Sequence, residues 1–269
     1  MDFFGVVGER LPHTLSPEIN KRIFELIDVE AAYKAFEISK DDISKLGESL
    51  KLLNIKGVNI TIPYKEVVME QLDYISKEAK DIGAVNTIFL EEGKLKGYNS
   101  DYFGFKKTLE INNIKVKDKI CVVLGTGGAS KALITCLKDS NVKELYVVTR
   151  NKNKKSNING DIKIIDYKEL ESIKGDVIVN ATPVGMYPNV GKSPVSKEII
   201  ENFDTLVDIV YNPKMTEFLK IGEELGKKVC GGLYMLVGQA VKSEEIWHKR
   251  DIDLDVLNKI YKELENRFE

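Results

Sequence analysis

The sequence predicts an α/β protein whose second half forms a doubly wound parallel sheet. Short apolar runs rich in β-branched residues recur through that half, and stretches with helical periodicity separate them. Runs that are apolar on both faces are typical of buried parallel strands, and their alternation with helices indicates a doubly wound fold. The runs cover residues 119–124, 145–148, 162–165, 177–179 and 206–210.

The first hundred residues predict a mixture of strands and helices. A helix is expected over residues 16–26, with Ser16 as its N-cap and Pro17 as its first helical residue, and another over residues 41–53. Residues 91–94 favour a hairpin turn because they separate two short strands. The predicted strands cover residues 3–7, 32–36, 58–62, 86–90 and 95–98.

Helical patterns at both ends of the doubly wound region divide the chain into two domains. A helix over residues 102–111 would link the domains, and helices over residues 234–248 and 254–268 would return to the first one. The predicted domains are residues 1–101 with residues 236–269, and residues 102–235.

Composition argues against several classes of protein. Lys and Arg number 40 against 42 Asp and Glu, so the chain has no basic excess for binding nucleic acid. Cys121, Cys136 and Cys230 are far apart, and His13 and His248 are the only histidines, which disfavours a disulfide framework or a metal site. The chain shows neither a signal peptide nor an apolar run of about 20 residues, so we expect a cytoplasmic protein with no membrane span.

The glycine-rich turn after residues 119–124 favours a dinucleotide-binding site. Gly125, Gly127 and Gly128 lie between a predicted strand and a predicted helix, as such a loop requires. Glycines let the backbone approach a pyrophosphate, and the helix N-terminus offers free N–H groups. Ser130 stands where the usual pattern has a third glycine, and a plain glycine turn in a parallel sheet is the alternative.

The end of the next predicted strand favours NADP over NAD. NAD-binding domains place an acidic residue there, which binds the ribose 2′-hydroxyl. This chain has Thr149, Arg150 and Asn151 instead, and Arg150 can stack on adenine and pair with a 2′-phosphate. Residues 151–161 are rich in Asn and Lys with almost no apolar side chain, which predicts an exposed loop. The alternative is that Arg150 and these lysines are only a solvated loop.

Two charged residues of the first domain are candidates for proton chemistry. Lys65 follows a predicted strand shortly after Pro63, and Asp101 follows the second strand of the hairpin. Lone lysines and aspartates are mostly surface groups, and the spacing alone does not pair these two.

Seven segments, in order along nearly the whole chain, resemble motifs of the shikimate dehydrogenase family. Any one of them is weak, whereas the full ordered set is specific. The segments are residues 13–17 (HTLSP), 57–65 (GVNITIPYK), 83–87 (GAVNT), 97–104 (GYNSDYFG), 125–130 (GTGGAS), 180–186 (NATPVGM) and 232–240 (GLYMLVGQA).

The resemblance implies reversible, NADP-dependent reduction of 3-dehydroshikimate to shikimate, a step towards chorismate and the aromatic amino acids. It implies a substrate domain from residues 1–101 and 236–269, a Rossmann domain for NADP from residues 102–235, and an active site in the cleft between them. Lys65 and Asp101 match the family's catalytic pair. The family includes monomers and homodimers, so both states stay open.

The resemblance also implies ligand contacts. The hydroxyls implied to bind the shikimate carboxylate are those of Thr14, Ser16 and Tyr211, and the residues implied to bind the ring hydroxyls are Asn59, Thr61, Asn86 and Gln239. The residues implied to bind NADP are Gly125, Thr126, Gly127, Gly128, Ala129, Ser130, Thr149, Arg150, Asn151, Lys154, Thr182, Ile209, Gly232 and Met235, with Met235 beside the nicotinamide.

Departures from the family pattern leave alternatives open. Thr14 stands where the family usually has serine, and its methyl group narrows the carboxylate site, so a quinate/shikimate dehydrogenase with relaxed NAD and NADP use is a second interpretation. Lys154 replaces a second arginine that often follows Arg150, which weakens the expected 2′-phosphate site. An NADP-sensing regulatory protein without turnover is an alternative of another class, and it would not need Lys65 and Asp101.

Overall fold

The computed structural model describes residues 1–12, 14–151 and 162–266. This part of the chain forms two compact units: Met1–Gly104 with Val237–Lys262, and Phe105–Leu236 with the residues from Glu263 onward. The boundaries after Gly104 and Leu236 lie three residues and one residue beyond those predicted at 101 and 235. Residues 263–266, which were expected in the first domain, fall in the second unit. His13, Lys154 and nearly all of the predicted loop over residues 151–161 lie outside the described residues. The assignment of the substrate to the first domain and of NADP to the second stays a prediction.

The first unit contains a six-stranded mixed sheet of order β2-β1-β3-β5-β6-β4. The neighbours of β1 run parallel to it, whereas β5 is antiparallel to both β3 and β6. The strands are β1 (Asp2–Gly8), β2 (Ala31–Glu37), β3 (Gly57–Ile60), β4 (Tyr74–Ile75), β5 (Thr87–Glu91) and β6 (Lys94–Tyr98). The helices that begin in this part of the chain are α1 (Ser16–Ile27), α2 (Leu46–Leu52), α3 (Lys77–Ile82) and α4 (Ser100–Ile111).

The first unit confirms the predicted hairpin and corrects three details. Glu92 and Gly93 join β5 to β6 with φ of 51° and 73°, the positive values that a tight two-residue hairpin turn needs. The N-cap of α1 is Leu15 rather than Ser16, and among the described residues no side chain caps the helix. The predicted strand over residues 58–62 ends at Ile60, and the predicted helix over residues 41–53 divides into a 3-10 turn, Ile43–Lys45, and α2.

A buried tryptophan joins the C-terminal part of the chain to this sheet. Trp247 lies on α9 (Leu233–His248), is only 4% exposed, and stacks on Phe4 with a centroid separation of 4.8 Å. Its indole N–H donates to the Ile88 backbone oxygen over 2.9 Å. Gly57 lies directly beneath, and a Cβ there would be 2.3 Å from the indole nitrogen. Only glycine therefore allows the helix to approach β3 this closely.

The second unit confirms the doubly wound parallel sheet. The strand order is β12-β11-β10-β7-β8-β9, which is the 3-2-1-4-5-6 order of a Rossmann fold, and every pairing is parallel. The strands are β7 (Ile120–Leu124), β8 (Glu144–Val148), β9 (Lys163–Ile165), β10 (Val177–Asn180), β11 (Thr205–Asp208) and β12 (Lys228–Cys230). The later helices are α5 (Gly128–Asp139), α6 (Tyr167–Leu170), α7 (Lys197–Glu201), α8 (Glu217–Glu224), α9 and α10 (Leu254–Glu265).

The cysteines are part of the apolar interior. Cys121, Cys136 and Cys230 are buried free thiols, and burial raises the pKa of each to about 12. Within the described ranges, no group of three His, Cys, Asp or Glu side chains is arranged to hold a metal ion, and no helix is long and apolar enough to cross a membrane.

Candidate active site

The structure brings Lys65 and Asp101 together in the first unit. The Lys65 ammonium contacts Oδ2 of the Asp101 carboxylate. The two side chains are only 12% and 6% exposed. Removing either member of such a shielded pair leaves an uncompensated charge, which is strongly unfavourable. The fold thus supplies the pairing that sequence spacing could not establish.

The loop after β3 holds the main chain of Lys65 on both sides. The preceding side chain, Tyr64, is buried, and its hydroxyl donates to the Ile38 backbone oxygen over 2.6 Å. The Val85 N–H donates to the Lys65 backbone oxygen over 2.8 Å. These bonds fix the position of the Lys65 Cα, and the flexible side chain extends from there to Asp101.

Asp101 is the second residue of α4, where the helix dipole favours a negative charge. The segment before it is fixed by Asn99, whose amide Nδ2 donates to the Ala84 backbone oxygen over 2.8 Å. The second carboxylate oxygen of Asp101, Oδ1, accepts a hydrogen bond of 2.9 Å from Asn86 Nδ2. One oxygen therefore faces a cation and the other a neutral donor.

The amide of Asn86 links Asp101 to Gln239. Asn86 Nδ2 lies 3.0 Å from Ser100 Oγ and 3.3 Å from Gln239 Oε1. Asn86 Oδ1 accepts the Ser100 backbone N–H over 2.6 Å, which fixes the orientation of the amide because an N–H only donates. Three of the sequence-predicted site residues, Asn86, Asp101 and Gln239, are thus in direct contact.

Asn59 on β3 is held in a similar way. Its Nδ2 donates to Ser243 Oγ over 2.8 Å and lies 3.3 Å from both the Asn86 backbone oxygen and Thr87 Oγ1. Its Oδ1 accepts a hydrogen bond of 2.7 Å from the Tyr33 hydroxyl. A primary amide has two hydrogens, so the protein itself uses both N–H groups of Asn59. The carbonyl oxygen is the part of this side chain that can still bind a ligand.

Three buried hydroxyls, which sequence reasoning missed, connect these amides. Thr87, Ser100 and Ser243 have no exposed surface, and their oxygens lie 3.0–3.1 Å apart. Thr87 and Ser100 fall inside two of the quoted motifs. Ser243 lies one helical turn after Gln239 on α9, and that i, i+4 spacing was the available signal.

The residues predicted to bind the carboxylate divide between the two units. In the first unit, Thr14 Oγ1 lies 3.2 Å from Ser16 Oγ and accepts the Ser16 N–H over 3.3 Å, so the two hydroxyls form one polar group beside α1. Thr61, which is implied to bind a ring hydroxyl instead, follows β3, and a Cβ at Gly8 would lie only 2.7 Å from its methyl group. In the second unit, Tyr211 follows β11, and burial raises the pKa of its phenol.

Tyr33 connects the Ser16 hydroxyl to Asn59. Burial, reinforced by the nearby Glu244 carboxylate, raises the pKa of the Tyr33 phenol well above its usual value, and a hydrogen bond with Ser16 opposes the rise. Tyr33 is therefore a neutral donor to Asn59 at any physiological pH.

The glycine-rich loop of the second unit forms an open cradle at the N-terminus of α5. Gly125 has a φ of 103°, a conformation that favours glycine. Gly127 is the N-cap of α5, and a Cβ there would meet no atom within 4 Å. The first residues of the helix, Gly128, Ala129 and Ser130, present N–H groups without helical partners, and such a cradle suits a phosphate.

The other residues implied to bind NADP lie around the carboxyl ends of the strands or follow them. A Cβ at Gly232 would lie 2.2 Å from the Ile209 backbone oxygen, so this position requires glycine. The Thr182 hydroxyl donates to Asn180 Oδ1 over 2.6 Å, and Met235 is a buried residue of α9. The carboxyl end of a doubly wound sheet is the usual place for a dinucleotide.

The residues predicted to contact the 2′-phosphate follow β8. Asn151 donates its backbone N–H to Thr149 Oγ1 over 3.3 Å, which makes a compact turn. Arg150, between them, is exposed and close enough to Tyr167 to oppose the rise in the pKa of that phenol caused by burial. The guanidinium is therefore accessible to a ligand.

A second buried carboxylate lies in the second unit. Asp208 ends β11 and is paired in register with Asn180, whose Nδ2 donates to Asp208 Oδ1 over 3.0 Å. The Val210 N–H donates to the same oxygen over 2.9 Å, and the Thr216 hydroxyl donates to Oδ2 over 2.7 Å. Burial raises the pKa of Asp208 to about 6.

Comparison with known proteins identifies the family. The pattern of the shikimate dehydrogenase substrate-binding domain matches residues 6–88. The shikimate dehydrogenase (NADP(+)) of Clostridium beijerinckii is 52% identical over 269 residues, which cover 100% of both chains. The chain belongs to the shikimate dehydrogenase family. This confirms the resemblance drawn from the seven motifs.

Solved structures of the family agree with this fold. A shikimate dehydrogenase 1 from Peptoclostridium difficile is 60% identical and has a TM-score of 0.94. The alignment covers 100% of this chain and 99% of the other. The Thermus thermophilus shikimate 5-dehydrogenase, solved in complex with NADP(H) and shikimate, is 31% identical, with a TM-score of 0.88 over 98% of this chain and 99% of the other.

Proposed function

We propose that this protein is an NADP-dependent shikimate dehydrogenase that reversibly reduces 3-dehydroshikimate to shikimate. The observation that carries the proposal is the buried Lys65–Asp101 pair, joined through Asn86 to Gln239. A regulatory protein that only senses the nucleotide has no need for a shielded cation beside an array of oriented amides. The reaction would serve the synthesis of chorismate and the aromatic amino acids in the cytoplasm.

The pair would handle the proton of the reaction. When bound, NADPH supplies the hydride that converts the ketone carbon to a CH–O group. The Lys65 ammonium would donate a hydrogen bond to the ketone oxygen and then a proton to the developing alkoxide, giving the hydroxyl of shikimate. Asp101 would hold the ammonium in place and accept a hydrogen bond from the neighbouring substrate hydroxyl. Positioned proton transfer typically contributes about 10²–10⁴-fold to the rate.

Neutral donors and acceptors would orient the rest of the substrate. The Thr14 and Ser16 hydroxyls, with Tyr211, would bind the carboxylate, whereas Thr61, Asn86 and Gln239 would bind the ring hydroxyls. Because both N–H groups of Asn59 are engaged, that residue would bind a ring hydroxyl through Oδ1 alone.

The residues of the second unit suit a dinucleotide phosphate. The open space above Gly127 and the free N–H groups of α5 would hold the pyrophosphate, and the exposed guanidinium of Arg150 would pair with the 2′-phosphate. Thr126, Thr149, Asn151, Thr182, Ile209, Gly232 and Met235 would complete the site.

A steady-state assay of shikimate oxidation tests this proposal. We expect a higher kcat/KM for shikimate with NADP than for any combination that contains quinate or NAD. A higher value with quinate and NAD would make the protein a quinate dehydrogenase. Binding of NADP without turnover of either acid would instead favour a nucleotide sensor.

A further inference from the structure

The Ser243 hydroxyl has four polar neighbours, so it cannot be the donor to all of them or the acceptor from all of them. It lies 2.8 Å from Asn59 Nδ2, 3.0 Å from the Gln239 backbone oxygen, 3.0 Å from Thr87 Oγ1 and 3.1 Å from Ser100 Oγ. A hydroxyl has one hydrogen to donate and two lone pairs that accept. The directions of the bonds to Asn59 and to the Gln239 backbone oxygen can therefore be assigned from the chemistry of these partners.

Two of the four partners fix how Ser243 bonds to them. A backbone oxygen only accepts, so the bond to Gln239 uses the single hydrogen of Ser243. An amide N–H only donates, so Ser243 accepts the hydrogen bond from Asn59. The remaining lone pair accepts from either Thr87 or Ser100. Ser243 is thus an acceptor fixed in direction by the helix that carries Gln239.

This assignment determines what Asn59 can offer a ligand. Ser243 makes the shortest of the Asn59 Nδ2 contacts, at 2.8 Å against 3.3 Å for the Asn86 backbone oxygen and Thr87 Oγ1. With the two hydrogens directed inward and the Tyr33 hydroxyl on one lone pair of Oδ1, one lone pair of Oδ1 is left. Asn59 is only partly buried, whereas Ser243 has no exposed surface.

We propose that Ser243 is a positioning residue for substrate recognition, which acts by holding Asn59 as a hydrogen-bond acceptor for one ring hydroxyl of the substrate. The proposal rests on the proposed function. Ser243 itself touches no ligand. It acts across 184 residues of sequence, from the helix of Gln239 to the strand of Asn59.

Ser243→Ala tests the proposal through binding. We expect the Kd and KM for shikimate to rise about fivefold, which corresponds to the loss of one neutral hydrogen bond, with kcat changed less than twofold and KM for NADP unchanged. The matched control is Ser76→Ala, the same change at a buried serine of the first unit that caps α3 by accepting the Ala79 N–H. Ser76→Ala should lower thermal stability and leave every kinetic constant unchanged.

Substrate analogues separate positioning from a general structural role. The ratio of variant to wild-type Kd should fall to about one for either 4-deoxyshikimate or 5-deoxyshikimate, whichever lacks the hydroxyl that Asn59 binds, and stay at about five for the other. Ser243→Cys, with a weaker acceptor of similar shape, should give a Kd between those of the wild type and the alanine variant, and it replaces the alanine variant if that fails to fold.

The failures are distinguishable. Wild-type turnover of shikimate together with an unchanged Kd in Ser243→Ala overturns the role of Ser243 alone. An equal ratio for shikimate and both analogues also overturns it, because the variant would then weaken binding without regard to a hydroxyl. No wild-type turnover of shikimate overturns the proposed function, and the role of Ser243 with it.

Discussion

Each unit contains one aspartate that is buried and bonded to an asparagine amide, yet the two sites differ in their third partner. Asn86 donates to Asp101 over 2.9 Å, and Asn180 donates to Asp208 over 3.0 Å. The other oxygen of Asp101 faces the Lys65 ammonium, whereas that of Asp208 accepts from the neutral Thr216 hydroxyl. Both sites have an aspartate bonded to an asparagine amide, but only the Asp101 site also has a cation.

The difference between the two sites shows how a neighbouring cation changes the properties of a buried carboxylate. Without a cation, burial raises the pKa of Asp208 to about 6, and the three neutral donors around it offset only part of that rise. Asp208 therefore connects β10, β11 and the start of α8. Asp101 instead pairs with a second charged group, the Lys65 ammonium, which is the proton donor in the proposed reaction. Paired substitutions in the two sites test this distinction.

Removing the cation should have the largest effect. Lys65→Ala should lower kcat by about 10²-fold or more, because the proton donor is lost and Asp101 is left as an unpaired buried charge. NADP binding, measured by fluorescence titration, should be retained. The control is Lys51→Ala, since Lys51 makes an exposed ion pair with Asp73. Turnover of Lys65→Ala near that of Lys51→Ala would contradict the assigned role.

The same substitution at both aspartates should separate activity from structure. Asp101→Asn should lower kcat by about 10²-fold, since an amide cannot hold the Lys65 ammonium as a carboxylate does. Asp208→Asn should keep kcat within about twofold. Steady-state kinetics of the two variants make the comparison, and equal losses would show that the presence of a cation does not distinguish the sites.

Asp208 should make stability depend on pH. Its folded pKa, about 6, lies above the ordinary value of about 3.8, so the folded state keeps a proton that the unfolded state has lost between these values. The contribution of Asp208 to the free energy of unfolding should therefore fall by roughly 2–3 kcal/mol as pH rises from about 4 to about 6. Glu244, whose pKa burial raises to about 7, acts in the same direction.

Denaturant unfolding at pH 4, 5, 6 and 7 checks this expectation. Asp208→Asn keeps Glu244 and removes the contribution of Asp208, so the difference between the variant and the wild type isolates that carboxyl. The variant should gain stability relative to the wild type as pH rises. A difference that is independent of pH would mean that folding does not raise the pKa of Asp208.

The smallest effect is expected at the exposed Arg150. Arg150→Ala should raise KM for NADP about tenfold and leave KM for NAD almost unchanged, because only NADP carries the 2′-phosphate. Lys168→Ala, at an exposed lysine on α6, is the control for a general change of surface charge. Equal effects of Arg150→Ala on both nucleotides would exclude a 2′-phosphate contact.

Most of the fold was predictable because its strands are continuous apolar runs. β12, Lys228–Cys230, was missed because only Val229 and Cys230 are apolar between two lysines and two glycines, and β4 has only two residues. The helix α4 begins at Ser100, two residues before the predicted start, because its first turn carries polar residues that bind Asn86 rather than an apolar face.

The sequence motifs named the candidate site residues but did not show which of them are in contact. Motifs identified Lys65 and Asp101, yet nothing in their separation of 36 residues showed that they meet. Ser243 and Tyr33 were missed because their contacts with Asn59 depend on how a helix and two strands pack. Hydrogen-bond direction is likewise decided by the partners of each atom, which the sequence does not place.

The single tryptophan makes the first unit visible to fluorescence. Trp247 is shielded from water, stacked on Phe4 and one helical turn beyond Ser243, so its emission should shift to longer wavelength when α9 leaves the sheet. Since the second unit has no tryptophan, this signal follows the first unit alone. A spectrometer can therefore monitor the helix that carries Gln239 during unfolding or ligand binding without any added label.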